Sequence, residues 1–230
     1  MRKLLFVSAL MTLLSAHAYA AGCDLTVVAC PGGEGASNDA GTLDCAGGET
    51  VTLLASFQPA EDIADFAAVD GILTLRAAGE VNEAATFWDL EVADASVLSG
   101  TQRRPATGCA DYTNPYLPPG SGFAVGAAVR GPRMVRIACT AYRAGTLAVK
   151  AGQKIFAFQL TLDASTSAES SGGNLTGCTQ PVSITLDSLT PGSLSNAPTT
   201  VLKSGSQMLN SVVFNGGQLP AIAPPDSLRK

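Results

Sequence analysis

Once its first twenty residues are set aside, this 230-residue chain has no histidine, because the one imidazole, His17, lies in that leading stretch. A hydroxyl or thiol nucleophile activated by a histidine base is therefore excluded from the remainder. There is no Cys-x-x-Cys pair either, so a tetrahedral zinc site lacks its usual donors. Charge is sparse, at 14% of residues, with 14 Lys and Arg against 19 Asp and Glu. Loss of Arg2 and Lys3 with the leading stretch moves the net charge from −5 to −7. The basic residues are scattered, Arg103-Arg104 being the densest pair. Such a chain has no electrostatic footprint for nucleic acid and is repelled by anionic membrane surfaces. No apolar run reaches the roughly 20 residues of a spanning helix, so no integral membrane segment is expected.

Residues 1–20 read as a secretory signal peptide. Arg2 and Lys3 supply the positive start, Leu4 to Leu14 the apolar run, and Ala18-Tyr19-Ala20 the small-x-small cleavage site. The expected location is secreted, periplasmic or at the cell surface. A lipidated Cys23 is the lesser alternative, because Ala20 stands where a lipobox carries a branched aliphatic residue. In an oxidising compartment the six cysteines, Cys23, Cys30, Cys45, Cys109, Cys139 and Cys178, are disulfide candidates. Spacing does not decide their connectivity. If all six pair, three before residue 50 and three beyond residue 100 force at least one long-range bridge.

The rest of the chain reads as a Cys/Gly-rich N-terminal segment (21–50), one β-sandwich domain (51–216) and a Pro-rich C-terminal tail (217–230). Pro31 to Gly48 is a Gly-rich loop pinned by Cys30 and Cys45. Val51, Leu53, Ala55 and Phe57 alternate with Thr52, Leu54, Ser56 and Gln58, the period of a strand with one dominant core face, and Pro59 ends it. Glu61 to Asp65 is a helical turn or a loop. Phe66 to Arg76 is a second strand, with Gly71 as a bulge or close approach. Phe87 to Val92 alternates too, setting Phe87, Asp89 and Glu91 opposite Trp88, Leu90 and Val92. A turn-rich loop from Thr101 to Ser121 holds Cys109, Tyr112 and Tyr116. Phe123 to Val129 and Met134 to Tyr142 flank Gly131-Pro132 as a hairpin, with Cys139 directed inward. Ile155 to Leu162, Val182 to Leu186 and Leu209 to Phe214 complete about 8–9 short strands without a long amphipathic helix. That pattern predicts an all-β chain, a single antiparallel sandwich stapled by disulfides.

Several segments carry a resemblance. Val51 to Phe57, Gly71 to Leu75, Asp94 to Leu98 (with Ala95 in place of a proline) and Gly152 to Leu160 are similar, in this order, to the jelly-roll sandwiches of cohesins and carbohydrate-binding modules. Phe57 to Phe66, Cys178 to Leu186 and Ser195-Asn196-Ala197-Pro198 resemble stretches of uncharacterised exported bacterial proteins. The resemblance implies fold class and export. It implies no catalytic residues, and dockerin binding only as an analogy of fold.

Candidate sites are few. Lys150, Lys154 and Lys203 lie in polar strand-edge contexts and read as solvated rather than as bases for a Ser–Lys pair. Glu61, Asp62, Asp65, Asp70, Glu83, Asp89 and Glu91 could supply the two carboxylates of a glycoside hydrolase, but no cleft is signalled and a solvated acidic rim is the expectation. The same acids with Asp94 could hold a structural calcium, although no Asp-x-Asp-x-Asp-Gly loop occurs. No other cofactor and no metal ligand set is expected. Asn174-Leu175-Thr176 matches a glycosylation acceptor that a bacterial chain would leave idle. Carbohydrate binding on a sandwich uses exposed rings. Trp88 reads as core, and Tyr112 and Tyr116 are the speculative ligand-binding residues, against the alternative that they cover the core edge beside Cys109. The expected function is a non-catalytic structural or protein-interaction module at or outside the cell envelope. A carbohydrate-binding module is the alternative and a secreted hydrolase the third reading.

Overall fold

The computed structural model describes residues 22–80, 86–91, 97–171, 173–195, 202 and 210–217. The expected signal peptide, Glu83, Asp94, Lys203 and the tail beyond Gly217 lie outside the described residues.

Alternating apolar residues build two antiparallel sheets. Strands β1 (Gly22–Val27), β2 (Thr50–Gln58), β4 (Leu98–Thr101) and β7 (Ile155–Asp163) make a four-stranded sheet in the order β1-β2-β7-β4. Strands β3 (Ile63–Ala77), β5 (Gly122–Gly131), β6 (Met134–Val149), β8 (Val182–Ser193) and β9 (Ser211–Phe214) make a five-stranded sheet in the order β5-β6-β3-β8-β9. Among the described residues there is no α-helix, only one 3-10 turn at Ala164–Thr166.

The core sits between the sheets. Phe57 of β2 meets Phe66 of β3 with ring centres 6.0 Å apart, and Phe158 of β7 meets Phe123 of β5 at 5.8 Å. Gly71 is the close approach expected of it. A Cβ there would lie 2.7 Å from the Phe158 ring and 3.1 Å from Leu189, so the missing side chain is what lets the ring seat against β3.

Three expectations change. The sandwich begins upstream of residue 51, because β1 pairs along its whole length with β2, from Gly22 opposite Gln58 to Val27 opposite Leu53. All six of its residues are buried, although Cys23, Leu25 and Val27 alternate with polar Asp24 and Thr26 as in a strand with one wet face. Phe87 to Val92 is not a strand over its described part. Residues 86–91 form an isolated bridge and turns, which aim neighbouring rings the same way, and Phe87 and Trp88 are both fully buried in a T-shaped pair 4.9 Å apart. The Trp88 indole N–H donates to the Cys178 carbonyl at 3.2 Å, so the one tryptophan caps the core as expected, by a different local geometry. Of the two alternatives for Glu61 to Asp65 the helical one is not taken, and β3 starts within the stretch, at Ile63.

The third change concerns sulfur. Cys30 joins Cys109 and Cys45 joins Cys178, across 79 and 133 residues. Cys23 and Cys139, expected among the cystines, are buried free thiols. Cys139 does point inward from β6, and Cys23 Sγ donates to the Leu202 carbonyl at 3.6 Å. A lipid on Cys23 would have to pull this fully buried sulfur and the start of β1 out of the sheet. Burial pushes both thiols from 9.0 to about 12, for Cys23 with help from the Asp24 carboxylate.

Three outcomes follow from the core. The folded, non-reduced chain leaves a thiol reagent unreacted, and denaturation releases both thiols. Because the unfolded thiols ionise near 9.0 and the folded ones near 12, their contribution to stability is complete below pH 9 and falls as pH rises toward 12. Urea titrations across that range should show the decline, and a Cys23→Ala/Cys139→Ala variant should show less of it. Gly71→Ala, which forces a methyl into Phe158, should cost about 1–3 kcal/mol in the same titration.

Candidate interaction surface

A sandwich has two outer faces, and here they are treated differently. The outer face of the four-stranded sheet is dry over β1, the end of β2 and the start of β7. Asp24 and Thr26 of β1, Leu54 and Ser56 of β2 and Phe156 of β7, which the bulge sets opposite Ser56, are all buried, whereas Thr52, Gln159 and Thr161 are half-buried and Ser99 is exposed. What covers the buried part is the turn-rich loop between β4 and β5. Thr113 bridges to Ile155 of β7, its amide donating to the Lys154 carbonyl at 2.8 Å and its carbonyl accepting the Phe156 amide at 3.1 Å. Tyr112 lies over the sheet near Ser56 and Asp24, donates its hydroxyl to the Pro31 carbonyl at 3.0 Å, and carries the Lys154 ammonium 5.5 Å from its ring centre.

The Cys30–Cys109 bridge fastens this cover to the Gly-rich loop, beside a hydrogen bond from the Cys30 amide to the Gly108 carbonyl at 3.2 Å. Gly108 holds φ +76, and a Cβ there would strike Ala29 at 2.5 Å, so only glycine lets the two loops meet. Arg104 completes the clamp by donating to the carbonyls of Cys109, Ala110 and Tyr112.

Tyr112 and Tyr116 are thus not an exposed sugar platform. They are 7% and 6% exposed, and the edge-covering alternative is the one the structure adopts. Burial pushes both phenols upward, Tyr116 further because its ring is sunk beside Phe66 at 6.5 Å. Three of the candidate acids are engaged by partners of their own. Asp62 takes the Lys150 ammonium at 2.7 Å, Asp65 binds the Ser193 hydroxyl and the Ser195 amide, and Asp70 takes the Thr140 hydroxyl at 2.7 Å. The Lys150 hydrogen bond holds the Asp62 carboxyl below the usual carboxylate range, and the Ser193 hydroxyl does the same for Asp65. Among the described residues no three of His, Cys, Asp and Glu converge on a point that could hold a metal ion.

The edges are covered as well. Residues 37–40 run between β1 and β9, with Ser37 bridging Val27 and Asp39 bridging Val213. The Asn38 amide donates to the Leu25 and Ser211 carbonyls at 3.0 and 2.8 Å, tying one sheet to the other. On the opposite side, Glu91 Oε2 accepts the outward Val129 amide of β5 at 2.7 Å.

One face stays open. On β5, β6, β3 and β8 the residues pointing away from the core include Ala124, Gly126 and Ala128, then Ala138, then Ile72, then Ser188 and Thr190, a central stretch of mostly short side chains bordered by Asp70 and Thr140 on one side and by Thr74, Arg76, Met134 and Arg136 on the other. Tyr142 is its large ring, 47% exposed and lying across Gly122, where a Cβ would come within 2.3 Å of the phenol oxygen. An open depression of about 390 Å³ interrupts the face among Ile72, Thr74, Arg130, Met134, Arg136, Asp187 and Ser188. Sequence reading did not single out this surface. The available signal was the polar side of each strand, which only the strand order turns into one plane.

No protein-family model matches the chain, and no curated protein does. Among solved structures it is similar to a cohesin module from a family 33 glycoside hydrolase of Clostridium perfringens ATCC13124. The two share 10% identity over 85% of this chain and 98% of that one, with a TM-score of 0.37. Neither that module's role nor its partner is transferred to this chain by so low a similarity.

The cover over the four-stranded sheet is testable. Cys30→Ala/Cys109→Ala should cost about 4–5 kcal/mol by the loop-entropy estimate for a bridge of this span. It should also raise the exposure of Tyr112, read as faster tyrosine nitration in the variant than in the parent.

Proposed function

We propose that this protein is an exported, non-catalytic protein-interaction module that engages its partner through the open face of the five-stranded sheet. The observation that carries the reading is the asymmetry of the two outer faces: the β1–β2 part of one sheet is roofed by disulfide-tied loops, and the other sheet presents an uncovered central stretch of mostly small side chains. Backbone-close surfaces of that kind suit extended contact with another protein, which needs roughly 800 Å² per partner. Export is supported by the reading of residues 1–20 and by two long-range disulfides, which persist in oxidising compartments. No helix among the described residues is long and apolar enough to cross a membrane. The carbohydrate-binding alternative has less support, because Tyr112 and Tyr116, its expected carriers, are buried.

Site-directed crosslinking of the full chain tests this. A photoreactive residue at Ala138, in the middle of the open face, should give a discrete adduct with one exported protein, and Ala138→Arg should abolish that protein's capture. The same residue at Ala106, in the loop near the covered sheet, should give none. Adducts from both positions alike, or turnover of a polysaccharide or ester by the purified chain, would overturn the proposal.

A further inference from the structure

The open face is not uniform along its strands, and its charge is gathered at one end. Arg76 of β3, Arg130 of β5 and Arg136 of β6 lie on the exposed side, and Arg133 stands in the tight turn joining β5 to β6. Register brings them together. Arg136 pairs with Ala128 on one flank and Thr74 on the other, Met134 pairs with Arg76 and Gly131, and the Arg133 carbonyl accepts the Ala77 amide at 3.0 Å. All four guanidinium side chains are exposed, and none forms an ion pair, the one ion pair among the described residues being Lys150 with Asp62.

Four unpaired arginines in one corner are unexpected in a chain with 19 acids and 14 bases. None of the described acids near them forms an ion pair with them, while Asp187 lines the same depression as Arg130 and Arg136 and sets a negative charge at its rim. Asp187 accepts the Thr74 hydroxyl at 2.6 Å, Glu91 is bonded to the Val129 amide, and Glu80 is exposed beyond the end of β3. The corner also has relief. The 390 Å³ depression lies between Arg130 and Arg136, with Ile72 and Met134 as apolar lining, and a second of about 360 Å³ lies beside Arg76, against Ala78, Pro181 and Gly217.

We propose that this arginine corner docks an acidic, extended segment of the partner protein, its carboxylates meeting Arg76, Arg130 and Arg136. The inference rests on the reading of the open face as an interaction surface and names the partner's chemistry. Guanidinium forks match carboxylates in two-point geometry, and the apolar lining suits the methylenes of Glu or a neighbouring aliphatic side chain. A long polyanion such as nucleic acid fits less well, because the chain's overall negative charge repels it away from this corner. An acidic glycan would want an exposed ring for its sugar faces, and Tyr142 stands six residues along β6 from Arg136, beyond Ala138 and Thr140.

The test uses the full chain and an oligoglutamate peptide as probe, followed by fluorescence anisotropy. Binding should saturate at low salt, weaken as salt rises, and fall at least about tenfold in Arg76→Ala/Arg130→Ala/Arg136→Ala. It should be unchanged in Arg103→Ala, which removes an equally exposed guanidinium elsewhere. The triple replacement by Glu should instead bind oligolysine, showing that the corner is folded and only its sign has changed. Equal oligoglutamate binding by parent and triple Ala variant overturns the proposal, as does tighter, arginine-dependent binding of polygalacturonate. An Ala138 crosslink that persists in the triple Ala variant, with unchanged partner affinity, removes the acidic segment but not the open face. Loss of the Ala138 adduct in the parent removes the face itself.

Discussion

The covering of the four-stranded sheet decides what the rest of the molecule can present. Part of the four-stranded sheet is buried on both faces, and among the described residues no α-helix covers it. The cover is made from irregular chain, which carries backbone polar groups that each need a partner. Thr113 spends its amide and carbonyl on the ends of β7, Arg104 gathers three carbonyls, and Tyr112 takes the Pro31 carbonyl. The Cys30–Cys109 bridge then limits how far this cover can lift in the unfolded ensemble, where a loop of this span is most costly to close.

The second bridge acts at the end of the sandwich. Cys45–Cys178 brings the Gly-rich loop to the connection before β8, and the Cys178 carbonyl accepts both the Trp88 indole and the Asn215 amide. Asn215, at φ +53, also receives the Leu43 amide and donates to Gln180, so one residue in a left-handed conformation joins three segments. With edges occupied by residues 37–40 and by Glu91, the surface left for recognition is the outer face of the five-stranded sheet. Its flatness comes from Ala and Gly on β5 and β6. Its charge comes from arginines that no described acid pairs.

Much of the architecture was legible in the chain itself. Period-2 alternation located β2, β3, β7 and β8, and Gly131-Pro132 marked the turn between β5 and β6. Gly71 declared a close approach before its neighbour Phe158 was known. The misses have physical causes. β1 does alternate, Cys23, Leu25 and Val27 with Asp24 and Thr26, but it is short and leads into the Gly-rich loop, and its partner β2 is more than twenty residues away. Phe87 to Glu91 mimics a strand because turn residues can place adjacent apolar side chains together in the core. Tyr112 and Tyr116 sit in a loop of prolines and glycines that reads as exposed, and the disulfide that presses it onto the sheet is a long-range contact. The arginine corner was invisible for the same reason: Arg76 is more than fifty residues from Arg130, and only register makes them neighbours.

By itself the sequence determined what depends on local composition: a leading stretch with the pattern of an export signal, an all-β chain, and no histidine for catalysis in the remainder. It also supplied six cysteines without saying which would pair. Tertiary structure chose Cys30 with Cys109 and Cys45 with Cys178, and left Cys23 and Cys139 as thiols in the core. It also chose which sheet is roofed and which is open. Those outcomes depend on strand order and on the distance between segments far apart in the chain, and neither is written in any window of neighbouring residues.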